Sequence, residues 1–122
     1  MSDGVQHITR QLTQLGGWNV TEDCFEAETP VGRRRFANIV AVFGGEQASG
    51  SGSEWSRLTL ACHYDSKRFD SMRFIGASDA AASCAIMIQL ARCLTDSLRD
   101  ALNDTAHSPV SSQFAPQLQL MF

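Results

Sequence analysis

The fold of this chain is decided by residues 58–94, LTLACHYDSKRFDSMRFIGASDAAASCAIMIQLARCL. This stretch reads as a buried strand, a polar loop and an apolar helix, in that order. His63 and Asp65 follow the strand, and Asp79 stands where the helix is expected to begin. Open α/β sheets bind ligands at the carboxyl ends of their strands. The three polar side chains are therefore candidate residues of a metal site.

The sequence before this stretch predicts a helix followed by a β-hairpin. Apolar residues at helical spacing predict the N-terminal helix: Val5, Ile8, Leu12 and Leu15. Gly16–Gly17 is a typical end for that helix. Trp18–Thr29 and Phe36–Phe43 are rich in strand-forming residues, and Pro30–Gly32 between them is a turn signal.

The sequence from Arg57 onward predicts one βαβ unit. Arg57–Tyr64 and Leu118–Phe122 read as strands, and Asp79–Leu98 reads as a helix that is apolar on most faces and therefore buried. Such a unit pairs its strands in parallel through a right-handed crossover. Gly44–Ser53 and Asn103–Pro116 read as loops. The predicted fold class is thus α/β with a mixed β-sheet.

Composition excludes several classes of protein. The chain has 122 residues, of which 43% are hydrophobic and 19% charged, as expected of one globular domain. A net charge of −3 gives no reason to expect nucleic acid or an anionic membrane as partner. No stretch approaches the roughly 20 apolar residues of a membrane span. No secretory signal peptide is visible at the N-terminus.

The last residues, Leu118–Phe122, form an apolar strand-like run at which the sequence stops. A natural domain rarely stops inside a core strand. We therefore expect residues 1–122 to be the N-terminal part of a single, larger domain, with no second domain. We also expect this last strand to leave an unpaired, apolar edge that promotes aggregation.

Spacing alone leaves the role of the polar residues open. An aspartate at a helix start, such as Asp79, is often an N-cap that stabilises the helix by about 1 kcal/mol. A lone histidine after a strand, such as His63, is more often a structural hydrogen-bonding residue than a metal ligand. Asp65 lies two residues on, where a carboxylate can fix the tautomer of the imidazole. The four cysteines form no CxxC pair, so a zinc-finger site is not predicted.

Two motifs together give a specific resemblance. Ala-Cys-His-Tyr-Asp-Ser-Lys at 61–67 and Gly-Ala-x-Asp at 76–79 resemble the glutaminyl-peptide cyclotransferases of the zinc aminopeptidase-like superfamily. Further segments fit the same family: His7–Ile8, Thr29–Gly32, Asn38–Ile39, Phe74–Ile75, Cys84–Ala85 and Leu118–Phe122. The resemblance covers nearly the whole chain except the Gly/Ser-rich loop Gly44–Ser53 and the loop after the helix, Asn103–Pro116.

The resemblance implies a zinc-exopeptidase fold and a zinc-assisted acyltransferase that converts an N-terminal glutamine to pyroglutamate with release of ammonia. It implies one Zn²⁺ per complete domain, held by three protein ligands, which polarises the side-chain amide carbonyl. Asp79 carries over as one zinc ligand. His63 and Asp65 carry over as residues that shape the site. Cys62 and Cys84 carry over as a disulfide that closes a loop of about 22 residues.

The resemblance also implies partners and a compartment. Peptides or proteins with N-terminal glutamine are the expected substrates, and the complete domain is expected to be monomeric. The secretory pathway is the expected compartment, either secreted or Golgi, in keeping with the glycosylation tripeptides Asn19–Thr21 and Asn103–Thr105.

The family's remaining zinc ligands and its catalytic acids would lie beyond Phe122. We therefore expect no catalytic residue within this chain, weak zinc binding and no activity by the chain alone. Two alternatives stay open. One is part of a two-zinc aminopeptidase, in which His63 would be a ligand, and the other is a non-catalytic relative.

Overall fold

The computed structural model describes residues 3–44, 57–107 and 117–122, which form two helices, four strands and a π-helical turn. The elements in chain order are α1 (Asp3–Leu15), β1 (Trp18–Ala27), β2 (Arg34–Phe43), β3 (Arg57–Ala61), the π-helical turn (Ala77–Ala81), α2 (Ala82–His107) and β4 (Gln117–Met121). The predicted α/β class and the predicted order of elements are confirmed.

The four strands form one mixed sheet in the order β1-β2-β4-β3. β1 and β2 are antiparallel, with Trp18 opposite Phe43, and they are joined by a turn in which Gly32 has φ of 91°. β4 is antiparallel to β2 and parallel to β3. The predicted hairpin and the predicted parallel βαβ unit are therefore both present.

The expectation of an unpaired final strand is wrong. β4 lies between β2 and β3, and the peptide groups of Phe122 and Ile39 exchange hydrogen bonds of 2.8 and 2.9 Å. Its residues Leu118 and Leu120 are buried. Among the described strands, β3 is left at the edge instead.

One face of the sheet packs against both helices and holds the core. Alternate residues of β2 point to this face: Ile39, Ala41 and Phe43. Alternate residues of β4 do the same: Leu118, Leu120 and Phe122. α1 contributes one apolar side, whose buried residues recur at helical spacing: Val5, Ile8 and Leu12. These residues belong to one hydrophobic cluster, which also takes in Trp18 and part of α2.

α2 begins three residues later and ends nine residues later than predicted, at Ala82 and His107. The helix continues past Leu98 because Leu102 extends its buried stripe and packs on Gly44, where an added Cβ would lie 2.9 Å from the Leu102 Cδ1. Residues 103–107 are therefore helical, not loop. The other predicted loop residues, 108–116 and 45–53, lie outside the described part of the chain.

The expectation that α2 is buried on most faces is also wrong. One side is buried through Cys84, Met87 and Ala91. Ile86 is 62% exposed, and two further apolar residues at the same spacing, Leu90 and Leu94, are each 37% exposed. No helix in the described ranges is long and apolar enough to cross a membrane.

Candidate metal centre

The carboxyl end of β3 carries His63. The ladder between β3 and β4 ends where the Cys62 N–H donates to the Met121 carbonyl at 3.0 Å. β3 ends at Ala61, three residues earlier than the predicted Tyr64. His63 therefore leaves the sheet at the edge where open α/β folds bind ligands, as predicted.

Asp79 lies in the π-helical turn that precedes α2. Gly76 adopts the left-handed conformation, with φ of 61°, and its carbonyl accepts a 3.0 Å hydrogen bond from the Ala81 N–H. Asp79 has a non-helical backbone (φ −126°, ψ 85°), and its peptide bond to Ala80 is cis. Regular helix begins only at Ala82. Asp79 therefore does not directly precede the first residue of regular helix, which is the position that an N-cap takes.

The structure brings the three predicted site residues together. His63 Nε2 lies 3.0 Å from Asp79 Oδ1. On the other side of the ring, His63 Nδ1 lies 3.2 Å from Asp65 Oδ1 and 3.1 Å from the Asp65 carbonyl oxygen. An imidazole thus stands between two carboxylates at the end of β3. Asp65 fixes the ring, and the ring faces Asp79.

The surroundings of His63 raise the pKa of its imidazole. The hydrogen bond to the Asp65 carbonyl is the largest cause, and the negative charges of Asp79 and Asp65 act in the same direction. All three side chains are largely exposed, with 55% of the His63 side chain and 69% of the Asp79 side chain accessible. Exposed ion pairs contribute little to stability. All three side chains are therefore accessible from solvent, and their contacts are not a major source of stability.

The donor atoms of these side chains suit zinc, but the described residues do not supply a complete set of zinc ligands. Imidazole nitrogen and carboxylate oxygen are ligands that zinc takes. Across residues 3–44, 57–107 and 117–122, no group of three or more histidine, cysteine, aspartate or glutamate side chains could hold a metal ion. A catalytic zinc needs three protein ligands. Asp79, alone or with His63, would be part of such a set.

Cys62 and Cys84 lie directly beneath this cluster. Their Sγ atoms are 2.6 Å apart, and the Cys84 thiol donates to the His63 carbonyl at 3.2 Å, although the structure records both as free cysteines. Burial, followed by the neighbouring Cys84, raises the pKa of Cys62 to about 12. The predicted disulfide would tie the end of β3 to the first turn of α2.

Two residues that position the site were given no role by sequence reasoning. The Tyr64 hydroxyl donates to the Ala37 carbonyl at 2.6 Å, which ties the loop after β3 to β2. Burial raises the pKa of this phenol. Gly76 is the second such residue. Its place in the Gly-Ala-x-Asp motif was the signal that could have indicated its role. A cavity of about 660 Å³ borders His63 and Asp65, but Asp79 does not line it.

Replacing Gly76 with alanine is expected to lower the free energy of unfolding by about 1–3 kcal/mol. The new Cβ would lie 2.6 Å from the Asp79 carbonyl oxygen and 2.9 Å from the Ser66 Cβ, at a backbone conformation that favours glycine. The matched control is Gly4→Ala in α1, where the new Cβ would lie at an ordinary 3.8 Å from Tyr64. Urea unfolding of both variants measures the difference, and equal stabilities would contradict this role of Gly76.

Comparison with known proteins identifies the class to which this fold and site belong. The sequence profile of peptidase family M28 matches residues 38–113. That range includes the end of β3, the π-helical turn and α2, and hence the whole candidate site. The chain therefore belongs to peptidase family M28.

Within that family, the chain is similar to glutaminyl cyclases. It is 37% identical over 121 residues to the glutaminyl-peptide cyclotransferase of Bos taurus, which covers 96% of this chain and 30% of the relative. It is 43% identical over 94 residues to that of Gloydius blomhoffii, covering 73% and 24%. The crystal structure of Macrostomum lignano glutaminyl cyclase superimposes with a TM-score of 0.70 at 31% identity, over 98% of this chain and 29% of that one.

These comparisons also show how much of its relatives' length the chain spans. It spans between 24% and 30% of the length of these two curated relatives. The glutaminyl cyclase of Fimbriiglobus ruber, at 18% identity and a TM-score of 0.65, supports the fold alone.

Proposed function

We propose that this chain is part of a zinc-dependent glutaminyl-peptide cyclotransferase, to which it supplies Asp79 as one zinc ligand. The observation that carries the proposal is the 3.0 Å approach of His63 and Asp79 at the carboxyl end of β3, inside the segment that matches the family. The substrates would be peptides or proteins with N-terminal glutamine. When bound, zinc would supply a Lewis acid for the side-chain amide carbonyl of that glutamine.

The contribution of this chain is to place and orient one ligand. Gly76 and the π-helical turn hold the backbone of Asp79 away from helical geometry, so that its carboxylate reaches the end of β3. His63 contacts that carboxylate through Nε2, and Asp65 holds His63 through Nδ1. Residues of this kind, which orient a metal ligand without binding the metal, strongly affect metal affinity.

The proposal extends to the compartment of the protein. Asn19 and Asn103 of the two glycosylation tripeptides are both exposed. Cys62 and Cys84 are close enough to pair, and disulfides persist in oxidising compartments. These features support the secretory pathway. The complete domain would be a monomer that carries one zinc ion.

A chimera tests the proposed activity. The segment of the Bos taurus glutaminyl-peptide cyclotransferase that matches over 121 residues is replaced by this chain. The chimera is expected to convert a glutamine-initiated peptide to its pyroglutamate form, seen by mass spectrometry as loss of ammonia. Asp79→Ala is expected to lower kcat/KM at least about 100-fold. This loss is larger than that usually caused by removing a residue that only orients a metal ligand.

Controls separate loss of function from loss of fold. The unmodified bovine protein is the positive control, and the 122-residue chain alone is expected to be inactive. Asp96→Ala is a matched variant, because Asp96 is an exposed aspartate of α2 that pairs with Arg99, far along the helix from the site. A chimera with cooperative thermal unfolding but no cyclisation would contradict the proposal, as would equal effects of Asp79→Ala and Asp96→Ala.

A second candidate is a two-zinc aminopeptidase, in which His63 is itself a metal ligand. The observation in its favour is that His63 Nε2 faces Asp79 directly. The same chimera distinguishes the two functions with a leucine-initiated peptide. Release of leucine, with no pyroglutamate formed from the glutamine-initiated peptide, would support the aminopeptidase.

A further inference from the structure

Tyr64 lies between two residues of the candidate site, His63 and Asp65, but its side chain has different partners. His63 and Asp65 contact each other and are largely exposed, with 55% and 79% of their side chains accessible. Tyr64 instead packs against the hydrophobic core. Successive side chains of an extended chain point to opposite sides. A contact that holds the Tyr64 side chain therefore also fixes the backbone from which both of its neighbours project.

Two elements hold the Tyr64 side chain in place. Its hydroxyl donates to the Ala37 carbonyl of β2 at 2.6 Å. Its ring lies beside Gly4 of α1, where an added Cβ would be 3.8 Å from the Tyr64 Cδ2. Burial raises the pKa of the phenol, so the hydroxyl remains a donor at neutral pH. A backbone carbonyl has two lone pairs, so Ala37 can accept this bond in addition to one from a neighbouring strand.

The carbonyl of His63 is held as well, by the thiol of Cys84, which donates to it at 3.2 Å. That bond requires a free thiol. A disulfide between Cys62 and Cys84 would remove the hydrogen that Cys84 donates, whereas the bond from Tyr64 to Ala37 does not depend on the state of the cysteines. Tyr64 therefore holds the loop after β3 in both states.

The contact that needs this support is the one between His63 and Asp79. His63 Nε2 lies 3.0 Å from Asp79 Oδ1, and the two residues belong to segments on either side of a long loop. A donor and an acceptor separated by more than about 3.5 Å no longer form a hydrogen bond. A shift of the His63 backbone by about 0.5 Å is therefore enough to break the contact.

We propose that Tyr64 is a positioning residue for zinc binding, and that it acts on Asp79 through His63. The inference rests on the proposed function, in which Asp79 is a zinc ligand. Tyr64 needs no contact with zinc or substrate for this role, since its hydroxyl is directed at β2. It holds His63 at the distance at which the imidazole fixes the orientation of the Asp79 carboxylate.

The zinc affinity of the bovine chimera tests this role, measured by competition with a chromophoric chelator well below the unfolding temperature. Tyr64→Phe keeps the ring and removes only the hydroxyl. It is expected to lower zinc affinity about tenfold, the lower end of the range for residues that orient a metal ligand. In a His63→Ala background, the same substitution is expected to change the affinity less than about twofold, because the effect of Tyr64 passes through His63.

Thr95→Val is the matched control, because it also removes one hydroxyl that makes hydrogen bonds. Thr95 is buried, accepts from Trp18 Nε1 at 2.9 Å and donates to the Ala91 carbonyl at 2.6 Å. It lies about three and a half helical turns beyond Ala82, away from the site. Thr95→Val is expected to lower the unfolding temperature at least as much as Tyr64→Phe, and to leave zinc affinity unchanged.

Three results would overturn the proposal and leave the proposed function standing. The first is equal zinc affinity of the chimera and its Tyr64→Phe variant. The second is an equal loss of affinity in Thr95→Val, which would show that general destabilisation is the cause. The third is a full tenfold loss in the His63→Ala background, which would show that Tyr64 does not act through His63. A chimera without a tight zinc site would instead overturn the proposed function, and this proposal with it.

Discussion

Replacing Leu120 with alanine is expected to lower the free energy of unfolding by about 3–4 kcal/mol. Leu120 is fully buried on β4, where it lies opposite Ala41 of β2 and Leu60 of β3. Truncation removes apolar burial and leaves a cavity that neighbours on both sides of the strand cannot fill by small shifts. Urea unfolding followed by circular dichroism measures the change.

The control for this prediction is the next residue of the same strand. Met121 points to the opposite face of the sheet and is 36% exposed. Met121→Ala is expected to lower the free energy of unfolding by about 1 kcal/mol, because less apolar area is lost and no closed cavity forms. Equal effects of the two substitutions would contradict an interior position of β4 with one buried face.

Replacing Cys84 with serine under oxidising conditions is expected to lower the free energy of unfolding by about 3 kcal/mol. The expectation rests on a Cys62–Cys84 disulfide, for which the 2.6 Å approach of the two sulfurs is the structural support. The bridge would close a loop of about 22 residues that contains the whole candidate site. Its main effect would be to restrict the unfolded chain.

Cys93→Ser is the matched control, since Cys93 is exposed on the same helix. It is expected to change stability by less than about 0.5 kcal/mol. Under reducing conditions, the difference between the Cys84 and Cys93 variants should shrink. Peptide mapping without reductant that finds Cys62 and Cys84 both as free thiols would contradict the bridge.

Local patterns predicted the elements of this fold well. The helical repeat of Val5, Ile8 and Leu12 and the turn at Pro30–Gly32 act within a few residues, so they are visible in sequence. The position of β4 between β2 and β3 depends on contacts between segments far apart in the chain. The same is true of the exposed flank of α2, because exposure is decided by what packs on a helix and not by its own apolar residues.

For the candidate site, too, local motifs were visible in the sequence and long-range contacts were not. The motifs around His63 and Asp79 predicted which residues form it, and the structure places them within contact distance. The support for the site was not predictable, because Tyr64 reaches Ala37 across 27 residues of sequence. Gly76 was visible as a glycine, but only the geometry of the π-helical turn shows that its missing side chain makes room for Asp79.

Zinc binding by the bovine chimera and its Asp79→Asn variant tests most directly whether Asp79 is a metal ligand. Asparagine keeps the shape of the side chain and removes its charge, so the fold should be unchanged. Titration calorimetry is expected to show one tight zinc site in the chimera, an affinity lower by more than about 100-fold in the variant, and only weak binding by residues 1–122 alone. Equal affinity of the chimera and its variant, or a tight stoichiometric zinc complex of the 122-residue chain alone, would contradict the assignment.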